Sequence, residues 1–320
     1  MYLIQNLKPT LAVNDDTVSC PYRDCSHTVK KQTVSFKTEP EFLCETHGIY
    51  ISPSTFEYAD YKDNLLWRSA DDVDLLERIF AVKRESRMAR DNSEDSLTWN
   101  AFRYLESSQT LEPWLESVAG APVRNPQLIY WSYCQRAGTT WPLLAEARKE
   151  FGETPQRSSE PDIIVESDDA LYWIEAKFLS GNETKPSDPN DSKKYLSGGD
   201  KWYKRVFVSP YGTVAVEQKF YELMRFWLLG TWAAMKLGKR FVLVNLVRES
   251  EEEQVVASFG LHIKLDGHQF LRTTWEDAYR FVKSSGRADK DREIFLKYLE
   301  GKSVGYNGMR KLTPAFSVGN

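Results

Sequence analysis

Cysteine is scarce in this chain, four among 320 residues, and unevenly placed. Cys20, Cys25 and Cys44 crowd the N-terminal end while Cys134 stands apart. A disulfide framework is not expected, because nothing points to secretion and Cys134 would be left over. No glycine-rich loop ending in Lys-Ser/Thr is present, so nothing indicates nucleotide-driven translocation by the chain itself. Long apolar runs are missing too. The most apolar stretch, Val214 to Leu237, is interrupted by Glu217, Lys219, Glu222, Arg225 and Lys236. It falls short of the roughly eighteen continuous apolar residues of a membrane span. The opening MYLIQNLKPTL lacks the segments of a secretory leader, so a cytoplasmic, reducing location is the expectation. Positive charge is not in excess: 42 Lys and Arg stand against 46 Asp and Glu, a net charge of −4. That balance does not mark the whole chain as a polyanion binder, although a local basic groove can sit in an acidic chain.

What the chain does have is enough apolar residues, 41%, to bury a full-sized core. One small and one large domain are expected: a metal-binding module over 1–60, a helical linker over 61–90, and a larger domain over 91–320 with a basic C-terminal tail. In the linker Val73, Leu76, Ile79 and Phe80 follow helical spacing.

The most informative segment runs from Glu160 to Lys177, EPDIIVESDDALYWIEAK. DIIVE and LYWIEAKF are β-branched and aromatic, and Ser167-Asp168-Asp169 between them form turns readily, so the segment reads as a hairpin. A period of two places Glu175 and Lys177 on one face. Close pairing of the strands brings Asp162 within reach of Glu175, so two carboxylates and an ammonium converge. Two hard carboxylates can hold Mg²⁺ or Mn²⁺, with the Ala176 carbonyl as a further oxygen ligand. Such a metal activates water for phosphodiester hydrolysis, and Lys177 can add charge near the transition state. A solvated surface hairpin could carry the same ion pair. However, the triplet sits among Leu171, Tyr172, Trp173, Ile174 and Phe178, where a charge needs a reason to be half buried.

Pro161-Asp162 followed by Glu175-Ala176-Lys177 resembles the signature of the PD-(D/E)XK, or restriction-endonuclease-like, nuclease superfamily. The resemblance implies an α/β fold: a restriction-endonuclease-like mixed sheet flanked by helices, beside the small zinc-binding module. It also implies a Mg-dependent DNA endonuclease of the restriction, repair or defence kind. Duplex DNA is the expected partner, and a homodimer is one way for single active sites to cut both strands. A further acidic residue is expected on an upstream helix opening at Asn92 or Ser93, with Glu94 as the candidate and Asp95 as its substitute. Gln218 and Tyr221 resemble a pair found after the catalytic Lys in some members. Two other classes stay open: a non-catalytic protein that binds nucleic acid or docks a partner, and a metal-dependent hydrolase of some other substrate.

Downstream, Val214 to Leu237 reads as one long helix, Phe241 to Val247 as a buried strand, and 251–263 as a helix. Gln269 to Thr273 reads as a last strand, with Thr274 capping a helix from Trp275. Between Ser180 and Ser209 a polar, glycine- and proline-bearing stretch reads as a long loop. It carries Lys193, Lys194, Lys201, Lys204 and Arg205 interleaved with Tyr195, Trp202 and Tyr203, a pattern suited to contacting nucleic acid.

At the N-terminus, Cys20 and Cys25 are followed by Cys44 and His47, the donor set of a closed tetrahedral Zn²⁺ site. His27 is a rival ligand, and Val34 to Lys37 a candidate strand between the two knuckles. Cys134 reads as core.

Overall fold

A strand that is apolar on both faces needs cover on both sides, and the strands of this chain are arranged to provide it. The structure is a computed structural model. It describes every residue except Val34, Pro189, Asn190, 286–288, Gly319 and Asn320, together with the side chain of Asp191. The chain divides into two compact units. Met1–Ala70, Arg87–Tyr104 and Trp275–Asn320 form the first; Asp71–Ser86 and Leu105–Thr274 form the second. These units cut across boundaries at 60 and 90. The helix expected over 61–90 spans only Ala70–Phe80, and the described residues beyond 283 include a helix at Lys290–Gly301 and a strand pair of the first unit rather than a tail.

The second unit is built on seven strands: β1 (Gln127–Tyr130), β2 (Tyr133–Cys134), β3 (Thr139–Thr140), β4 (Ile163–Glu166), β5 (Ala170–Ala176), β6 (Arg240–Val247) and β7 (Gln269–Thr274). Their order across the sheet is β7-β6-β5-β4-β1-β2-β3. β5, β6 and β7 are parallel, and the remaining neighbours are antiparallel. The sheet is therefore mixed and flanked by helices, as expected. Every residue of β5 is buried, as is all of β6 after Arg240, which accounts for runs that are apolar except at Glu175 and Asn245.

Helix α1 (Leu111–Ala119) packs beside β7. Helices α2 (Pro142–Glu150) and α3 (Tyr221–Leu237) share a core with Leu171 and Trp173 of β5 and Phe241 and Leu243 of β6. Cys134 is buried in this core. The long helix expected from Val214 is broken. A π-helical turn occupies Gly212–Glu217, Lys219 takes a left-handed φ of 59°, and α3 starts afresh at Tyr221. Thr184 is the cause. Its N–H donates to the Lys219 carbonyl (2.7 Å), its carbonyl accepts from Tyr221 N–H (3.2 Å), and its hydroxyl accepts from Glu222 N–H (2.9 Å). These bonds replace the helical ones.

The stretch from Ser180 to Ser209 is not one loop. It holds helical segments at Asp191–Lys201, kinked at Gly198–Asp200, and at Tyr203–Val206. Tyr195 and Trp202 give the reason: both rings are buried, with the Tyr195 hydroxyl on Glu153 (2.9 Å) and the Trp202 indole on Thr231 (3.0 Å). Helix is also shorter than expected over 251–263, spanning only Val255–Gly260.

In the first unit, Leu43–Cys44, Ile49–Ile51 and Phe56–Tyr58 form a three-stranded antiparallel sheet, and Thr17–Ser19 pairs with Thr28–Lys30. Of the strand expected over Val34 to Lys37, Val34 lies outside the described residues and Ser35 to Lys37 are irregular. Glu94–Ser107, whose last three residues fall in the second unit, Trp275–Ser284 and Lys290–Gly301 are helices, and Ser303–Tyr306 pairs with Leu312–Pro314. Asp91 and Lys302 are buried together, with the Lys302 ammonium on the Asp91 carbonyl and the Ser303 hydroxyl on its carboxylate (3.3 Å). Among the described residues, no helix is long and apolar enough to cross a membrane.

The α3–β6 packing makes a prediction whose sign is unusual. Replacing a mid-helix glycine with alanine ordinarily stabilises, by about 1 kcal/mol. At Gly230 a methyl would overlap the buried Phe241 ring. Gly230→Ala is therefore expected to destabilise by about 1–3 kcal/mol, read as a lower urea midpoint. An unchanged or higher midpoint would refute this packing.

Candidate functional site

Two constellations carry chemistry, one in each unit. In the first, Cys20 and Cys25 lie on the turn joining the strands Thr17–Ser19 and Thr28–Lys30. Cys44 ends its strand and a tight turn delivers His47, whose N–H donates to the Cys44 carbonyl (3.1 Å). One ligand atom from each of the four residues lies within 4.8 Å of the others. The measured edges are 3.9 Å for Cys25 Sγ to Cys44 Sγ, 3.7 Å for Cys20 Sγ to His47 Nδ1 and 3.5 Å for Cys44 Sγ to His47 Nδ1. A tetrahedral Zn²⁺ site with ordinary bond lengths has S···S edges of about 3.8 Å and S···N edges of about 3.6 Å. The group is positioned to bind a metal such as zinc. His27 is exposed and outside the group. The imidazole of His47 stacks on Tyr22 (4.2 Å between centroids), and the Lys8 ammonium binds the carbonyls of Cys20 (2.8 Å) and Cys25 (2.6 Å). Burial pushes the Cys20 and Cys44 thiols up. A bound cation would reverse this by stabilising the thiolates.

In the second unit, β4 and β5 pair as the hairpin expected from the sequence, Ile163 opposite Ile174 and Glu166 opposite Leu171. Ser167 closes the turn, its hydroxyl bonding the Ala170 N–H and carbonyl. Asp162 precedes β4 and reaches across: its Oδ2 accepts from Ala176 N–H and its Oδ1 from the Trp131 indole, both at 2.9 Å. Trp131 and Ser132 form the two-residue turn between β1 and β2, with left-handed φ of 40° and 79°. A tryptophan held there costs about 1–3 kcal/mol, and the strained turn puts its indole on Asp162.

Glu175 and Lys177 are both buried. The Lys177 ammonium lies 2.5 Å from Glu175 Oε1 and 2.8 Å from Glu222 Oε2, while Glu175 Oε2 is buried with no hydrogen-bond partner. Burial pushes the Glu175 carboxyl well above the usual carboxylate range. Lys177 opposes the rise, and Asp162 and Glu222 add to it. Two carboxylates, Glu175 and Glu222, thus share one ammonium, with the Asp162 carboxylate acting on Glu175 beside them. Beside Glu175 in register, Asn245 of β6 is buried and begins a polar chain. Its Oδ1 accepts from Asn182 (2.8 Å), and Glu252 Oε2 accepts from both Asn245 and Asn182 (2.6 Å each).

The structure brings Asp162, Glu175, Ala176 and Lys177 together. Glu94 opens a helix of the first unit, whereas this site lies in the second. Gln218 is exposed and Tyr221 belongs to the core. Of the residues expected to contact nucleic acid, Trp202 is buried, and so are its companions Tyr195 and Tyr203, so none offers a free ring. Lys193, Lys201, Lys204 and Arg205 are exposed and Lys194 is half buried, but Arg205 is paired with Asp200 (3.2 Å). The sequence reading missed Glu222, Asn245 and Trp131 as site residues. A lone Asn inside the apolar run FVLVNLV was the one available signal.

Two measurements on the Cys/His group follow. Metal analysis is expected to find about one zinc per chain, lost in Cys44→Ser, with a lower Tm for that variant. Because the thiols are pushed up, affinity measured against a competing chelator should fall with pH, about tenfold per unit for each proton released. A metal-free wild type of unchanged Tm would refute the site. No family model, curated protein or solved structure matches this chain, so the functional reading rests on the geometry of these two groups.

Proposed function

We propose that the chain is a divalent-metal-dependent nuclease that hydrolyses phosphodiester bonds in DNA, on a restriction-endonuclease-like core. The observation that carries this reading is the convergence of Asp162, Glu175 and Lys177 at the buried end of one hairpin, where Glu222 joins them. The order of strands supports it: an antiparallel hairpin bears the motif, and its second strand is continued by a parallel one across the helix that supplies Glu222.

The donor set suits Mg²⁺ or Mn²⁺. Glu175 Oε2 is an orphaned buried oxygen, the Asp162 oxygens are held in place by the Trp131 indole and the Ala176 N–H, and the carboxylates of Asp162, Glu175 and Glu222 outnumber the Lys177 ammonium. A hard cation held by Asp162, Glu175 and the Ala176 carbonyl would offset this surplus and supply Lewis-acid activation of water. The remaining work falls to side chains. Glu175 and Glu222 fix the Lys177 ammonium from two sides, which orients it toward an attacking water and the charge developing on phosphate. The Trp131 indole and the Ala176 N–H hold the Asp162 carboxylate in one orientation. Within the second unit Glu222 takes the part of the third acidic residue.

The deciding experiment is Mg²⁺- and Mn²⁺-dependent cleavage of circular and linear duplex DNA, single-stranded DNA and structured RNA. Lys177→Ala and Asp162→Ala are each expected to lose about 10²–10³ of the rate. A wild type inert on every substrate with both metals, or variants as active as wild type, would sink the reading. A second readout needs no turnover. Mg²⁺ should raise the wild-type Tm through binding to the folded state, and the rise should disappear in Glu175→Gln.

A further inference from the structure

The first unit contains a cavity of about 500 Å³ that is separate from its Cys/His group. Lys31, Arg90 and Arg310 line it, and none of its wall residues is acidic. Neutral groups contact all three cations. The Lys31 ammonium donates to the Asn14 carbonyl (3.0 Å), Arg310 donates to the Pro53 carbonyl (3.4 Å), and the Arg90 guanidinium lies 5.0 Å over the Phe36 ring. One acid outside the wall, Glu57, pairs with Arg90 at 3.8 Å. A tight turn supplies hydroxyls. Ser52 Oγ donates to the Thr55 carbonyl (2.9 Å) and accepts the Thr55 and Ser54 N–H groups (3.1 and 3.4 Å).

Two wall groups lack partners: Thr55 Oγ1, on a residue only 8% exposed, and Arg90 Nε. Buried polar groups without partners are a cost, and three like charges around one hollow repel. An anion with several acceptor oxygens relieves both, and guanidinium, ammonium and hydroxyl groups together suit phosphate. The hollow is larger than a lone phosphate, and Phe36 gives it an apolar side on which a sugar or base can rest.

We propose that this cavity seats a backbone phosphate of a nucleic-acid strand, which makes the first unit a substrate-holding part of the reaction. The choice of strand over free anion rests on the nuclease reading above. The test is fluorescence anisotropy with labelled single-stranded and duplex oligonucleotides, without added Mg²⁺, in a Lys177→Ala background that removes cleavage. Lys31→Gln and Arg310→Gln are compared with Lys297→Gln, an exposed lysine of the same unit outside the cavity wall. Each cavity variant should weaken binding about 3–10-fold and flatten the salt dependence by about one phosphate contact, with the control unchanged. Inorganic phosphate should compete with the strand more effectively in the parent than in the double variant.

Affinity and salt slope equal to those of Lys297→Gln would overturn the proposal. So would loss of phosphate competition with strand affinity intact, which would assign the cavity to a free anion. Cleavage is read separately. A wild type that never cuts yet binds through Lys31 and Arg310 supports the cavity while removing the nuclease reading. An active enzyme indifferent to both residues does the reverse.

Discussion

Everything at the candidate site depends on keeping charge where water is excluded. β5 is buried along its whole length, and at its end it carries Glu175 and then Lys177. Neither charge would be tolerated there alone. The ammonium is shared by Glu175 and Glu222, the break at Thr184 sets the first turn of α3 where Glu222 can reach it, and Asp162 is pinned by Trp131 and Ala176. The surplus of carboxylates remains. It is a standing electrostatic debt of the fold, of the kind functional sites carry and ordinary cores do not.

The hairpin could be read from the sequence because its physics is local. Alternation, β-branched and aromatic residues and a Ser-Asp-Asp turn act within a few residues of one another, and so do the Cys and His donors on their two knuckles. The parallel neighbour strand was legible from its apolar run. What could not be read depends on contacts between distant segments. Glu222 looked like a charge interrupting an apolar helix, because only the bonds from Thr184 show that the helix restarts there. The stretch from Ser180 to Ser209 looked like a basic loop. Its glycines and lysines are polar, but Tyr195 and Trp202 drop into the core and wind it into helices. Composition reports the surface of such a segment and not the anchors beneath it.

The strands of the two units are supported in different ways. The second buries a large aromatic and aliphatic core around a seven-stranded sheet. The first has strands of two to four residues, and one apolar cluster of it includes Cys20 and Cys44 of the Cys/His group. A cross-link through a metal suits such a segment, since short strands alone cannot bury enough surface to offset chain entropy.

The interleaving of the first unit has a consequence for the order of synthesis. Its thiols precede most of the second unit in the chain, while Tyr306, which packs against the same small cluster, follows the whole of it. At roughly 5–20 residues per second, the last strand of the sheet bearing the hairpin is made about 2–6 seconds before Tyr306 completes the shell around the cysteines. During that interval Cys20, Cys25 and Cys44 are open to oxidants and to competing metal ions. Which ion the first unit holds would then be decided on the nascent chain, by what the cell supplies at that moment, as much as by the finished tetrahedron.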